Sequence, residues 1–215
     1  MDNKKTTTSW LKRYYDLGFS FINSGSAEKK IKTKWQDFQN RKPTKVEIVQ
    51  WLGWPTQNYA LICGLVSDLL VIDVDTHKGG DPTPFLNRNF YTVKTPSGGF
   101  HFYFKYNKEL SSTKHDGKGI MNAIDIQTNG SLLFAPPSHF INRPAYELIN
   151  DVPIRQMPDD LVAMILESMT PPPSPDNKPR YIPTNPTSGR PGDVFNALMS
   201  WDDVLQPMGW TRVYT

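Results

Sequence analysis

Three short strings hold the side chains of this sequence whose types and spacing could do chemistry. In VIDVD, Asp73 and Asp75 stand two residues apart. A strand sends alternate side chains to one face, so both carboxylates project together while Ile72 and Val74 point into a core. Like charges held that close are costly unless a cation lies between them, and hard oxygen donors suit Mg²⁺ or Mn²⁺. A strand end with two solvated acids fits the same doublet. In PSGGFHFYF, Phe100, Phe102 and Phe104 share one face, so His101 and Tyr103 share the other and His101 is expected to be displayed rather than buried. The Ser97-Gly98-Gly99 turn ahead of it permits close backbone approach, and its amides suit an anion nest beside the imidazole, a grip fit for a triphosphate. The plainer alternative is a hairpin with a surface histidine. In AIDIQTNG, Asp125 and Gln127 oppose Ile124 and Ile126. A buried or half-buried acid on such a strand asks for a metal or a base, whereas an edge acid needs only a hydrogen bond.

The remaining candidates are weaker. His77, His115 and His139 show no metal-ligand spacing among themselves and read as surface, although Ser138 and His139 follow a Pro136-Pro137 turn and could line the same cleft. Ser97 is not in a Gly-x-Ser-x-Gly elbow, which argues against a serine nucleophile. The lone Cys63 allows neither an internal disulfide nor a cysteine-based zinc cluster and fits a reducing cytoplasm.

The elements that must position these groups follow from periodicity. Trp10, Leu11, Tyr14 and Leu17 recur at helical spacing before Gly18; residues 19–22 alternate like a strand; residues 44–52 read as a helix with Val46, Val49 and Leu52 on one stripe. Trp35, Phe38, Trp51 and Trp54 are expected in the core. Residues 59–75 contain two apolar runs broken at 64–68, a hairpin-like pattern. Residues 91–95 and the run from Phe100 form a strand pair around the Ser-Gly-Gly turn. Residues 123–127 and 131–135 flank Thr128-Asn129-Gly130, where Asn-Gly is a hairpin signal. A closing helix follows Pro158.

The chain has 215 residues, 38% hydrophobic and 12% aromatic, enough for one compact domain with a real core. Its net charge of +3 is too small to require a nucleic-acid partner, but Lys29, Lys30, Lys32, Lys34, Arg41, Lys42 and Lys45 cluster early and could neutralise phosphates if folded onto one side. No run of about 18 apolar residues and no signal peptide is present, so no membrane partner is expected. Prolines crowd residues 171–191, a semi-rigid linker by composition.

Taken in order, the Asp-x-Asp strand, the Ser-Gly-Gly-Phe-His turn and the later apolar-Asp strand resemble the three motifs of the archaeo-eukaryotic primase superfamily, and most of all its bifunctional primase-polymerase branch. Asn58-Tyr59-Ala60 before Gly64 and Ser67, Thr95-Pro96 before the serine, and the APPS string from Ala135 resemble that branch too, over roughly residues 10–170. Lys30 and Lys34 ahead of Trp35 look familial, with Ile31 where a proline often follows such a lysine. The resemblance implies an α+β fold: an RRM-like mixed or antiparallel sheet packed with helices, plus a second small α/β unit, the active site in the cleft between them. It implies a catalytic domain over 1–170, the linker at 171–191 and the start of a connector module at 192–215, leading in phage and plasmid replication proteins to a helicase. It also implies a DNA primase or DNA polymerase working in the cytoplasm on single-stranded template, primer and nucleoside triphosphate. Asp73, Asp75 and Asp125 would hold two Mg²⁺ or Mn²⁺ ions, and Ser97, Gly98, Gly99 and His101 would contact the nucleotide. Two other functions fit the residues: a metal-dependent nuclease using the same acids, and a noncatalytic single-strand binder stacking bases on Phe102, Tyr103 and Phe104.

Overall fold

The computed structural model describes residues 3–111 and 122–169, within a unit spanning Met1–Thr170. The expected linker and connector, and His115, lie outside the described residues. The fold is α+β, with two fully antiparallel sheets. The smaller has the order β1-β2-β7, from β1 (Ser20–Asn23), β2 (Tyr59–Ile62) and β7 (Leu132–Ala135). The larger has the order β6-β3-β5-β4-β8, from β3 (Leu70–Val74), β4 (Tyr91–Lys94), β5 (Phe100–Phe104), β6 (Ile124–Gln127) and β8 (Glu147–Asn150).

Period-two patterning decides what each face of the larger sheet meets. Leu70, Ile72, Val74, Phe102, Phe104, Ile124 and Ile126 form one core with Phe85 of α3 (Thr83–Leu86), Leu110 of α4 (Lys108–Ser111) and Leu161 and Ile165 of α5 (Asp159–Met169). On the opposite face Val71, Tyr103, Tyr91 and Val93 join a second core with the smaller sheet. That core also takes Leu11 and Tyr14 from α1 (Asn3–Asp16) and Trp51 from α2 (Lys45–Leu52). The Tyr14 hydroxyl donates to the Pro136 carbonyl, at a turn whose Pro136-Pro137 bond is cis.

Two expected hairpins do not form. β2 and β3 lie in different sheets and so do β6 and β7. Each apolar run is long enough to serve its own sheet: at 64–69 the chain turns back through a single antiparallel bridge between Gly64 and Leu69, and β3 then enters the other sheet. The two crossings lie side by side: Cys63 donates its N–H to the Ser131 carbonyl at 3.0 Å, and Asn129 Oδ1 accepts from the Leu65 N–H at 2.9 Å. Gly64 has φ +96°, and a Cβ there would collide with Asn129, so this close approach admits only glycine.

The stripe on α2 is also displaced from expectation. Val46 and Val49 are each 67% exposed, while Trp51 is buried and Ile48 and Leu52 pack on the core. Phe38 is buried and Trp35 partly so, but Trp54 is 38% exposed and lies outside both cores, and Leu17 of the N-terminal stripe is exposed as well. The start of α2 is fixed by a capping box: the Thr44 side chain accepts from the Glu47 N–H and Glu47 accepts in return from the Thr44 N–H.

Candidate active site

The register of the larger sheet brings the motifs together. Asp73 on β3 stands directly opposite Asp125 on β6 and directly opposite His101 on β5. Paired residues on adjacent antiparallel strands have Cβ atoms about 5 Å apart, so the three side chains form one row across three strands. Two residues back along β3, Val71 is buried between the sheets opposite Tyr103. The acids therefore sit where the covered face runs out, with Asp73 half-buried and Asp125 exposed. Asp75 follows the end of β3 and heads the short helical turn Thr76–Lys78. That turn is tied to the start of β6, since the Asp75 N–H donates to the Ala123 carbonyl at 2.9 Å and Asn122 donates to the Gly79 carbonyl.

His101 departs from expectation. It does face away from the phenylalanines, but it is 4% exposed. Its Nε2 lies 3.5 Å from Asp73 Oδ1, and the Tyr146 ring packs 5.8 Å from the imidazole. Burial, then the nearby Lys29, pushes its pKa down to about 3, so the imidazole is neutral at physiological pH. Burial and the charges of Asp125 and Asp75 push the Asp73 carboxyl up to about 6, against the opposing pull of Lys29 and Lys78. Asp75 is held below the usual carboxylate range mainly by its 2.9 Å bond from Lys78 Nζ. Of the two readings open for Asp125, the structure has the edge acid: β6 ends the sheet among the described strands, and Asp125 is exposed.

The Ser-Gly-Gly turn closes on β3. The Gly98 N–H is committed to the Thr95 carbonyl at 3.0 Å, which removes it from an anion nest, while the Thr76 hydroxyl donates to the Gly98 carbonyl at 3.1 Å. Ser97 and Gly98 are exposed; Gly99 is buried so tightly that a Cβ would collide with the Val74 carbonyl. Ser138 is buried and spends its hydroxyl on the Tyr59 backbone, so it lines no cleft. His77 and His139 are exposed. Phe102, Tyr103 and Phe104 are buried, which removes them as stacking platforms for bases.

A family model described as bifunctional DNA primase/polymerase, N-terminal, matches residues 11–160. The chain belongs to this family. No curated protein matches the chain. Family membership implies DNA primase/polymerase-type nucleotidyl transfer, with DNA and nucleotides as substrates. Among the described residues, no helix is long and apolar enough to cross a membrane.

Whether these residues suit a divalent cation can be judged from their chemistry. Three carboxylates supply hard oxygen donors on one side of the sheet. Asp75 Oδ1 is buried without a hydrogen-bond partner, and the Asp73 carboxyl is raised first by burial and then by the charges of Asp125 and Asp75. Those features fit a cation. Among the described residues no three His, Cys, Asp or Glu side chains are gathered closely enough to hold one, and Asp75 is turned to Lys78. A concavity of about 890 Å³ lies beside the row rather than on it, lined by Trp10, Asn58, His139, Phe140 and Tyr146; Tyr146 alone of these packs on His101. Sequence reasoning missed Lys78 and Tyr146, and placed Lys29 only in a basic cluster, not beside the acids. Lys78 was open to detection, three residues beyond Asp75, whereas Lys29 and Tyr146 reach the site only through the tertiary fold.

Proposed function

We propose that this domain is a template-directed nucleotidyltransferase, a DNA primase, DNA polymerase or both, that serves replication of a phage or plasmid genome in its host's cytoplasm and continues into a helicase in the full-length protein. The observation that carries the reading is the placement of Asp73 between Asp125 and His101 in a single cross-strand row, in a chain of the primase/polymerase family.

Asp73, Asp125 and Asp75 would hold two Mg²⁺ or Mn²⁺ ions, with Asp75 exchanging Lys78 for a cation. Bound there, such ions would supply Lewis acidity toward a primer 3′-hydroxyl and positive charge beside the reacting phosphate. The chain's own groups do the positioning. The neutral His101 stands beside Asp73, its Nε2 3.5 Å from Oδ1, and would meet the triphosphate across the small part of its surface left open. The exposed Ser97 and Gly98 offer the hydroxyl and backbone of a turn that Gly99 fits tightly against β3. Lys29 and Lys78 place positive charge beside the acids, which favours a polyanionic substrate.

The test is extension of a labelled primer on a template with Mg²⁺ or Mn²⁺. Wild type should lengthen the primer, and Asp73→Asn with Asp75→Asn should not. Full extension by the double variant refutes the assignment, and shortening of the primer without dNTPs replaces it with a nuclease.

A further inference from the structure

The segment joining β1 to the turn at Gln36–Gln39 is a stapled surface. Ser24 donates to the Asn58 carbonyl at 2.7 Å, Lys32 donates to the Ser24 carbonyl at 2.8 Å, and the Thr33 hydroxyl donates to the Asn23 carbonyl at 2.6 Å. The Asn58 side chain donates to the Ser26 carbonyl at 2.9 Å. Opposite lies the chain after α2, held by Gln57, whose amide donates to the Trp54 carbonyl at 2.7 Å. Between the two runs a groove of about 590 Å³ is lined by Lys32, Thr33 and Lys34 on one side and Trp54 and Thr56 on the other, with Gly25 beneath. At Gly25 a Cβ would stand 3.1 Å from the Thr33 hydroxyl, 3.5 Å from the Trp54 ring and 3.6 Å from the Lys32 stem, so these three side chains close around the glycine.

What lines this groove is unusual for idle surface. Trp54 belongs to neither core and leaves 38% of its surface in water. Lys32 and Lys34 are exposed and have no ion pair among the described residues, whereas Lys30 in the same segment is paired to Glu28 at 2.7 Å. An exposed indole beside unpaired lysines meets both needs of a single strand: a π-face for a base and positive charge for its phosphates. Thr56 lines this groove and also the larger concavity that reaches Tyr146, whose ring packs on His101, so the groove runs on toward the row of acids.

We infer that this groove binds single-stranded DNA on its way to the acidic cleft, with Trp54 stacking on a base and Lys32 and Lys34 neutralising phosphates. The inference rests on the nucleotidyltransferase reading for its choice of DNA strand, the template, and on the groove's own residues for the binding.

The test uses the full chain and a fluorescent oligothymidylate, with anisotropy read across a salt series. Trp54→Ala should weaken binding about tenfold while Trp54→Phe keeps most of it, because stacking on a ring is lost only in the first. Lys32→Ala with Lys34→Ala should weaken binding and flatten the salt dependence by about 0.7 per lysine removed. Nucleotide binding should match wild type in every variant; thermal stability should match it in the lysine variant, whose side chains are exposed, and in Trp54→Phe, while Trp54→Ala gives up the packing of the covered part of the indole and is read only at temperatures where it is fully folded. Oligonucleotide affinity within about twofold of wild type in both Trp54→Ala and the double lysine variant overturns the inference. So does a loss of nucleotide affinity instead, which would make the groove a triphosphate site. If the wild type binds the oligonucleotide through Trp54 yet never extends a primer, the groove stands and the nucleotidyltransferase reading falls.

Discussion

Asp73→Asn should separate activity from stability in opposite directions. In wild type the Asp73 carboxyl rises from its usual 3.8 to about 6 in the folded protein, first through burial and then through the charges of Asp125 and Asp75. The folded state therefore holds this proton more tightly than the unfolded state does. Stability falls as pH rises from about 4 to 6, and the whole penalty is present above that window. A rise of that size corresponds to about 3 kcal/mol once both states are ionised. The side chain keeps 32% of its surface in water, and solvent screening reduces the figure to about 1–2 kcal/mol. An asparagine removes the charge and keeps the shape. At pH 7.5 in a chelator the variant should melt about 3–6 °C above wild type, given the few degrees per kcal/mol typical of a domain this size. The gain should vanish at pH 4. Adding Mn²⁺ should raise the wild-type melting temperature and leave the variant's nearly unchanged, and primer extension should be lost. The assay is thermal unfolding by circular dichroism at pH 4, 5, 6 and 7.5. A variant no more stable than wild type at pH 7.5, or a gain of equal size at pH 4, would refute the claim that the ionised Asp73 carboxylate destabilises the fold.

Gly64→Ala should destabilise the protein by about 3 kcal/mol or more in urea titration, since a Cβ at φ +96° collides with Asn129 where the chain crosses between sheets. Thr44→Ala should cost about 1 kcal/mol through loss of the α2 capping box. Its partner Glu47 is pulled down to about 2, chiefly by Arg41, so its contribution is complete above about pH 4.5 and disappears as pH falls toward 2, which acid titration of Glu47→Gln against wild type would reveal. Tyr103→Phe should stabilise by about 1 kcal/mol, because the Tyr103 hydroxyl is buried without a hydrogen-bond partner; a loss of stability in chemical denaturation would show that the hydroxyl is satisfied.

The sequence made side-chain faces legible and strand partners illegible. Alternation in residues 70–74, 100–104 and 124–127 placed Ile72, Phe102 and Ile126 in the core and turned Asp73, His101 and Asp125 to the other face, because that alternation is a property of each strand alone. Pairing is not local. The Asn129-Gly130 turn signalled a change of direction correctly, yet its strands went to separate sheets, and the break at 64–68 did the same. Burial along a face was equally hidden. His101 and Asp125 occupy one row, but His101 lies under Tyr146 while Asp125 sits on an edge strand, and nothing within either strand distinguishes them. Trp54 misled in the opposite sense, since a tryptophan near an amphipathic helix ordinarily belongs inside. The N-terminal helix, the 91–104 strand pair and the closing helix were readable because each rests on contacts close in sequence.

The paired crossings at Gly64 and Asn129 also favour one order of assembly on entropic grounds. β2 and β7, neighbours in the smaller sheet, are separated in the chain by everything from β3 to β6. Their pairing closes a long loop, a step that adds its entropy penalty at once and returns contacts only after the ends have met. Four strands of the larger sheet, β3 to β6, can gather on nearer partners before that closure, with β4 and β5 joined through the Ser97–Gly99 turn. The row of acids is thus carried on a cassette whose two ends meet at Cys63 and Ser131, and the smaller sheet serves as the clasp that shuts behind it.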